Sequence, residues 1–201
     1  MRTTKERTLA LQKEMKAAGF DPGPLDGIMG DLTLSASADY SAHRSGLLDL
    51  ATVAARDIGL QESPRGSNRG PGIRKFFEAD DLVIGGQTDG YAWCASAVSY
   101  WVQEYLDDIG NPNGIKPPRI AAVAIFPVWA KQNNLPVLTS KPQRGDIVVF
   151  QFSHIGVVRH VDLRGILTIE GNTNDEGSRE GYEVAARRRK LSECKLFIRI
   201  D

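Results

Sequence analysis

Apolar and polar residues change their spacing along the chain, and the changes mark out its elements. After Gly90, the residues Cys94, Val98, Trp101, Val102 and Tyr105 recur with the period of a helix that buries one face, so Cys94 is predicted to open a helix. Farther on, Arg144-Gly145-Asp146 reads as a turn before the strand Ile147 to Phe152, and Ser153 to Val161 reads as the next strand. Asp162-Leu163-Arg164-Gly165 then turns the chain into Ile166 to Glu170. A hairpin centred on Arg164 pairs even-numbered residues with even-numbered ones. The odd face, with Ile155, Val157, Val161, Leu167 and Ile169, is the predicted core face; His154, Gly156, Glu170 and Asn172 share the other. Arg159 does not fit this pattern, since it falls among the core positions.

The first forty residues have a different texture. Lys5 to Ala18 reads as a helix with Leu11, Met15 and Ala18 on one face and Gly19 as its stop. A turn-rich loop from Phe20 to Gly30 follows, and Asp31 is placed to cap a second helix from Leu32 to about Tyr40. So short a stretch rarely folds alone. It is expected to pack on the remainder or to use a helix from Leu47 to Ile58 as support.

The chemistry gathers at Cys94, His154, Glu170 and Asn172. A cysteine at a helix N-terminus meets unpaired backbone N–H groups and the positive end of the helix dipole, which favour a thiolate and can stabilise an oxyanion. An imidazole can hold that thiolate and then protonate a leaving amine, while a carboxylate or amide fixes its tautomer. His154 is the predicted base, with Glu170 or Asn172 orienting it. The plain alternatives are a packed cysteine, a hydrogen-bonded strand histidine and a polar strand end. His160, on the same face by parity, is a rival base, and His43 is expected to be solvated.

Charge narrows the choice of partner. Lysine and arginine total 25, as do aspartate and glutamate, so nothing draws the chain as a whole to nucleic acid or an anionic membrane. The local run Arg187-Arg188-Arg189-Lys190 reads as a solvated turn before a last strand, Cys194 to Ile200. Two cysteines make no disulfide framework. Cys194 is expected to be a packed strand residue, though a Cys94–Cys194 disulfide stays open.

Trp93-Cys94-Ala95, Gly145-Asp146-Ile147-Val148-Val149-Phe150, His154-Ile155-Gly156-Val157-Val158 and Glu170-Gly171-Asn172, in this order, resemble the CHAP family of cysteine, histidine-dependent amidohydrolases and peptidases. NlpC-type and papain-like peptidases are its broader relatives. The resemblance implies an α+β, papain-like domain over 46–201, with a nucleophile helix on an antiparallel sheet, that cleaves an amide in the peptide stem of peptidoglycan. It implies Cys94 as nucleophile, His154 as base, and Glu170 and Asn172 completing the site. Asn68, Arg69, Tyr91 and Trp93 are candidate substrate contacts. Some CHAP enzymes hold calcium through acidic residues just before the cysteine; here Gly85 to Tyr91 offers Asp89 alone, so no metal and no other cofactor are expected.

Leu11-Gln12, Gly19-Phe20-Asp21-Pro22-Gly23 and Asp26-Gly27-Ile28-Met29-Gly30 are similar to a peptidoglycan-binding repeat, which implies an all-α wall-binding module over 1–45 with Asp26, Gly27 and Gly30 in its loop. Tyr40-Ser41 departs from that pattern. The polar start Met1 to Leu9 shows no apolar core of a secretion signal or membrane anchor, so the expectation is a monomeric phage endolysin held in the host cytoplasm until its release to the wall. An injected amidase effector, an acyltransferase of the transglutaminase type and a non-catalytic wall-binding protein are the alternatives.

Overall fold

A computed structural model describes residues 2–46, 48–173 and 181–200. The chain divides into two compact units, Met1–Leu48 and Asp49–Asp201. Leu47 and the side chain of His43, for which expectations were stated, lie outside the described residues.

In the first unit, α1 (Thr4–Ala17) begins with a capping box in which Glu6 N–H donates to Thr3 Oγ1 at 3.2 Å and Thr3 N–H donates to Glu6 Oε2 at 2.8 Å. The helix α2 (Asp31–Arg44) runs past Tyr40, and Asp31 is its first residue rather than the residue before it. The buried face of α1 is Thr8, Gln12 and Met15, while Ala18 is exposed. A polar residue replaces the expected apolar one because the Gln12 amide is an internal hub. Its Nε2 reaches Asp26 Oδ1 at 3.2 Å, the Ile28 carbonyl at 3.1 Å and Thr33 Oγ1 at 3.0 Å, and its Oε1 accepts the Gly27 N–H at 2.8 Å.

In the second unit, Asp49 caps α3 (Leu50–Ala55) by accepting the Thr52 N–H at 2.7 Å, so the expected Leu47 to Ile58 helix is shorter than its apolar run. Next come α4 (Arg74–Glu78), α5 (Cys94–Asp108) and, after a single 3-10 turn, α6 (Phe126–Gln132). The strands are β1 (Val137–Leu138), β2 (Ile147–Phe150), β3 (Ile155–Asp162), β4 (Gly165–Thr173), β5 (Glu183–Arg189) and β6 (Cys194–Ile198). They form one antiparallel sheet in the order β1-β6-β2-β3-β4-β5. The unit is thus a mixture of helices and an antiparallel sheet.

The β3–β4 register differs from the expected one in an instructive way. Asp162 pairs with Gly165, so the turn holds only Leu163 and Arg164, and near it even residues face odd ones: His160 opposes Leu167. The register then shifts between Val158 and His160, after which Val158 opposes Thr168 and Val157 opposes Ile169. Arg159 is the extra residue of this bulge, which explains why it breaks the alternation. The bulge restores even-to-even pairing and brings His154 and Glu170 to one side. It also places His160 on the face of Leu167, away from Glu170, so the two histidines do not share a face.

Both faces of the sheet are covered, against the expectation of one core face. Every residue of β4 is buried. Val148, Phe150, Val158, Ile166 and Phe197 form a core on the side of Glu170. On the other side α5 packs directly against β4. A Cβ on Gly171 would sit 2.8 Å from Ala97 Cβ and 2.8 Å from the Trp93 ring, so only glycine permits that approach.

Candidate active site

Cys94 is the first residue of α5 and is 6% exposed. No side chain caps this helix, which leaves its first N–H groups beside the thiol. Behind Cys94, the Trp93 N–H donates to Asn172 Oδ1 at 3.1 Å, and the Trp93 indole, fully buried, donates to Glu62 Oε1 at 2.8 Å and stacks on Phe76 with ring centres 5.3 Å apart. The start of the nucleophile helix is thus fixed from three sides. Trp93 has no exposed surface, which corrects its reading as a substrate contact: it anchors the helix.

His154 precedes β3 and is completely buried. Its ring packs on Phe150 and Phe152, with centroids 5.9 and 6.0 Å away. Nε2 lies 3.0 Å from Glu170 Oε2. Among the described residues, neither ring nitrogen has a well-aligned hydrogen-bond partner, although the Cys94 thiol and the Glu170 carboxylate lie against the ring. Burial alone would depress the imidazolium, but the Cys94 thiol and the Glu170 carboxylate outweigh it and raise His154 from its ordinary value to about 9.

Glu170 is also completely buried, and besides His154 two side chains hold its carboxylate with three hydrogen bonds. Thr168, two residues back on the same face, donates to Oε1 at 2.5 Å; Arg189 Nε donates to Oε1 at 2.9 Å and Arg189 Nη2 to Oε2 at 2.6 Å. Burial pushes this carboxyl up, yet the hydrogen bonds from Arg189 and the adjacent His154 hold it down at about 2. Space for Glu170 comes from Gly156 on the neighbouring strand, where a Cβ would stand 2.8 Å from Glu170 Cγ.

Asn172 does not join the imidazole. It takes a left-handed backbone, φ 55°, and its amide donates to the Gly181 carbonyl at 2.6 Å and to Asn68 Oδ1 at 3.3 Å while accepting the Trp93 N–H. Of the two groups expected to orient His154, Glu170 is the one beside it, and Asn172 braces the helix that carries Cys94.

The other expected contacts are tied into loops. Asn68, also left-handed at φ 51°, donates its N–H to Glu62 Oε2 at 2.9 Å. Arg69 bonds Asp89 at 2.9 Å and Gln87 at 2.8 Å. The Tyr91 hydroxyl donates to Asp80 at 3.0 Å, with its ring edge-on to Phe77, so it is engaged away from an oxyanion; burial and then Asp80 push its pKa well above the ordinary value. In the first unit, Asp26 accepts the Ile28 N–H at 2.8 Å, and a Cβ on Gly27 (φ 74°) would meet the Lys5 carbonyl at 2.6 Å. Both shape the loop, in which Asp26 is exposed and Gly27 is buried. Gly30 is exposed, and its carbonyl accepts the Leu34 N–H of α2.

Among the described residues no group of three or more His, Cys, Asp or Glu is placed to hold a metal ion. The residues before Cys94 do not suit calcium, because the Asp89 carboxylate already carries the Arg69 guanidinium. Both cysteines are free thiols.

Sequence reading missed Glu62, Thr168 and Arg189. Thr168 could have been found from its i, i+2 relation to Glu170, and Arg189 from strand alternation, which sends Arg187 and Arg189 to one face and Arg188 to the other.

No curated protein and no solved structure matches this chain. Residues 86–172, which run from the loop before Cys94 through His154 to Glu170 and Asn172, match the CHAP domain, and that match supports a CHAP-type hydrolase, an enzyme class that acts on peptidoglycan.

Proposed function

We propose that this chain cleaves an amide bond in the peptide stem of peptidoglycan through a thioacyl intermediate on Cys94, and that it serves as an endolysin. The observation that carries the chemistry is the convergence of a helix-initial thiol, a buried imidazole and a buried carboxylate on one point. Cys94, as thiolate, adds to the amide carbonyl, and the N–H groups at the start of α5 stabilise the oxyanion. The C–N bond then breaks and the departing amine takes its proton from the His154 imidazolium. Water next attacks the thioester and gives a proton to the now neutral His154. The C–S bond breaks, releasing the carboxylate product and restoring the thiolate. Glu170 holds the imidazole in the orientation both transfers require.

The CHAP match supports the substrate class, and a helix that starts at Cys94 and packs on an antiparallel sheet supports a papain-like arrangement. The likeness of the first unit to a peptidoglycan-binding repeat supports a module that brings the enzyme to the wall, as in an endolysin, which acts on the wall once released to it.

The test is mass analysis of purified peptidoglycan digested by the full chain. Fragments carrying one added water across an amide are expected, and their masses identify the bond as sugar-to-peptide or peptide-to-peptide. Cleavage only between sugars, or binding to the wall without release of fragments, would overturn the proposal.

A further inference from the structure

Arg189 ends β5, and its side chain is 8% exposed. Its two bonds to Glu170, at 2.9 and 2.6 Å, form a parallel charge-assisted fork, and its guanidinium lies over Phe150 and Phe152 at 5.3 and 5.2 Å from the ring centres. Those are the two rings that His154 packs on. The oxygen that receives Arg189 Nη2 is the same Oε2 that lies 3.0 Å from His154 Nε2. One buried carboxylate is therefore shared between a permanent cation and a titratable one.

We propose that Arg189 is a positioning residue of the active site. It is a fixed counter-ion that keeps Glu170 ionised and in one orientation and, by sharing its charge, limits how tightly Glu170 retains the proton of His154.

Counting charges gives the reason. A buried Glu170 with no arginine forms a neutral pair only with a protonated His154, so the proton would be locked on the ring. With Arg189 in place Glu170 is already neutralised, and an imidazolium is instead balanced by the Cys94 thiolate. The protonation of His154 then follows the thiol, as the catalytic cycle needs, since the ring must donate a proton to the amine and afterwards accept one from water. The charged and titratable groups around the pair are Cys94 from α5, Glu170 from β4, Arg189 from β5, Glu193 at the end of the 3-10 turn before β6, and Cys194 at the start of β6; Glu193 lies 3.9 Å from Arg189 Nη1. Lysine at 189 would retain the charge and lose the fork.

The kinetic consequence rests on the hydrolase reading, so the test first reads His154 itself. Its imidazole is followed by NMR against pH in the wild type, Arg189→Met and Arg189→Lys, the signal being assigned by its loss in His154→Asn. Arg189→Met is expected to move the titration to higher pH by about one to two units, as removal of a charge that close requires. Arg189→Lys should shift it by less than half as much. The acid limb of kcat for peptidoglycan fragments should follow in the same direction, because hydrolysis of the thioester needs a neutral ring. A purely structural arginine would lower the rate at every pH and leave the titration within about 0.3 unit of the wild type, and that result, or a shift to lower pH, overturns the inference. A shifted titration with no wall hydrolysis by the wild type would retain this inference and remove the hydrolase reading. Should Arg189→Met fail to fold, melting of Arg189→Met/Glu170→Gln decides: recovery of a folded chain supports the pairing, and no recovery contradicts it.

Discussion

Each unit is organised around a buried polar hub, and the two hubs are built differently. In the first unit the hub centres on a neutral amide. The Gln12 amide bonds the Gly27 N–H, the Ile28 carbonyl, Asp26 and Thr33, and so locks a turn-rich loop. In the second the hub is ionic: Arg189, Glu170 and His154 lie together at 0 to 8% side-chain exposure. Gln12 finds partners on both of its polar atoms, whereas the ring nitrogens of His154 make no well-aligned bond at rest. A fully satisfied network around one amide fixes a conformation. A charged network with one loosely held member stores the capacity to move a proton, and catalytic hydrogen bonds often tighten only once substrate is bound.

The sharpest way to break the contrast is at the loosely held member. His154→Asn, which keeps a polar side chain of smaller size, should lower peptidoglycan hydrolysis by about a thousandfold at unchanged secondary structure, measured by release of soluble fragments beside circular dichroism. Loss of less than tenfold would remove the ring from the mechanism.

The ionic hub should also make the stability of the second unit fall on both the acid and the basic side, whereas the Gln12 hub carries only an acid-side contribution, from the Asp26 carboxyl that the Ile28 N–H and the Gln12 amide hold below its ordinary value. Glu170, lowered from 4.5 to about 2 in the fold, contributes stability above pH 4.5 that disappears as pH falls toward 2. His154, raised from 6.5 to about 9, contributes fully below pH 6.5 and loses that contribution as pH rises through 9. The melting temperature of the second unit should therefore be highest between pH 4.5 and 6.5 and decline on both sides. A profile from Glu170→Gln that declines as steeply as the wild type would show that other groups set the dependence.

At the Gln12 hub the effect is smaller and local. Gln12→Ala removes the acceptor of the Gly27 N–H and should cost the first unit about 2 to 3 kcal/mol. Faster hydrogen exchange at Gly27 would register this, while turnover of small soluble muropeptides stays the same. A fall in that turnover would mean the two hubs do not act separately.

The smallest effect is the one expected from chelation. With Asp89 engaged by Arg69, EDTA should leave activity within about twofold of the untreated enzyme. A deep loss reversed only by calcium would show that the loop before Cys94 takes up a metal.

Much of this organisation is legible in the sequence wherever local spacing decides it. The period of Cys94, Val98, Trp101 and Tyr105 locates α5, and alternation locates β2, β3 and β4, because burial of one face imposes those periods directly. What the sequence hides is decided by residues distant along the chain. The two-residue turn at Leu163-Arg164 alone would have put His154 and Glu170 on opposite faces, and only the bulge at Arg159, invisible to a parity argument, reunites them. Arg189 looks like part of a solvated basic run until the β4–β5 pairing carries it over Glu170. Trp93 looks available beside the nucleophile until Glu62 and Phe76 are seen to enclose it. The tie of Asp26 and Gly27 to Gln12 is hidden too, because the amide that engages them sits on a separate helix. In each case local chemistry is correctly read and the partner is missing.

The measurement that bears most directly on the central claim compares wild type with Cys94→Ala in release of peptidoglycan fragments, each chain first shown by thermal melting to be folded. Removal of one sulfur from a nearly buried position should leave the fold intact and lower fragment release by at least about a thousandfold. Equal release by the folded variant would contradict the thioacyl mechanism and, with it, the assignment of Cys94, His154 and Glu170 to a single catalytic site.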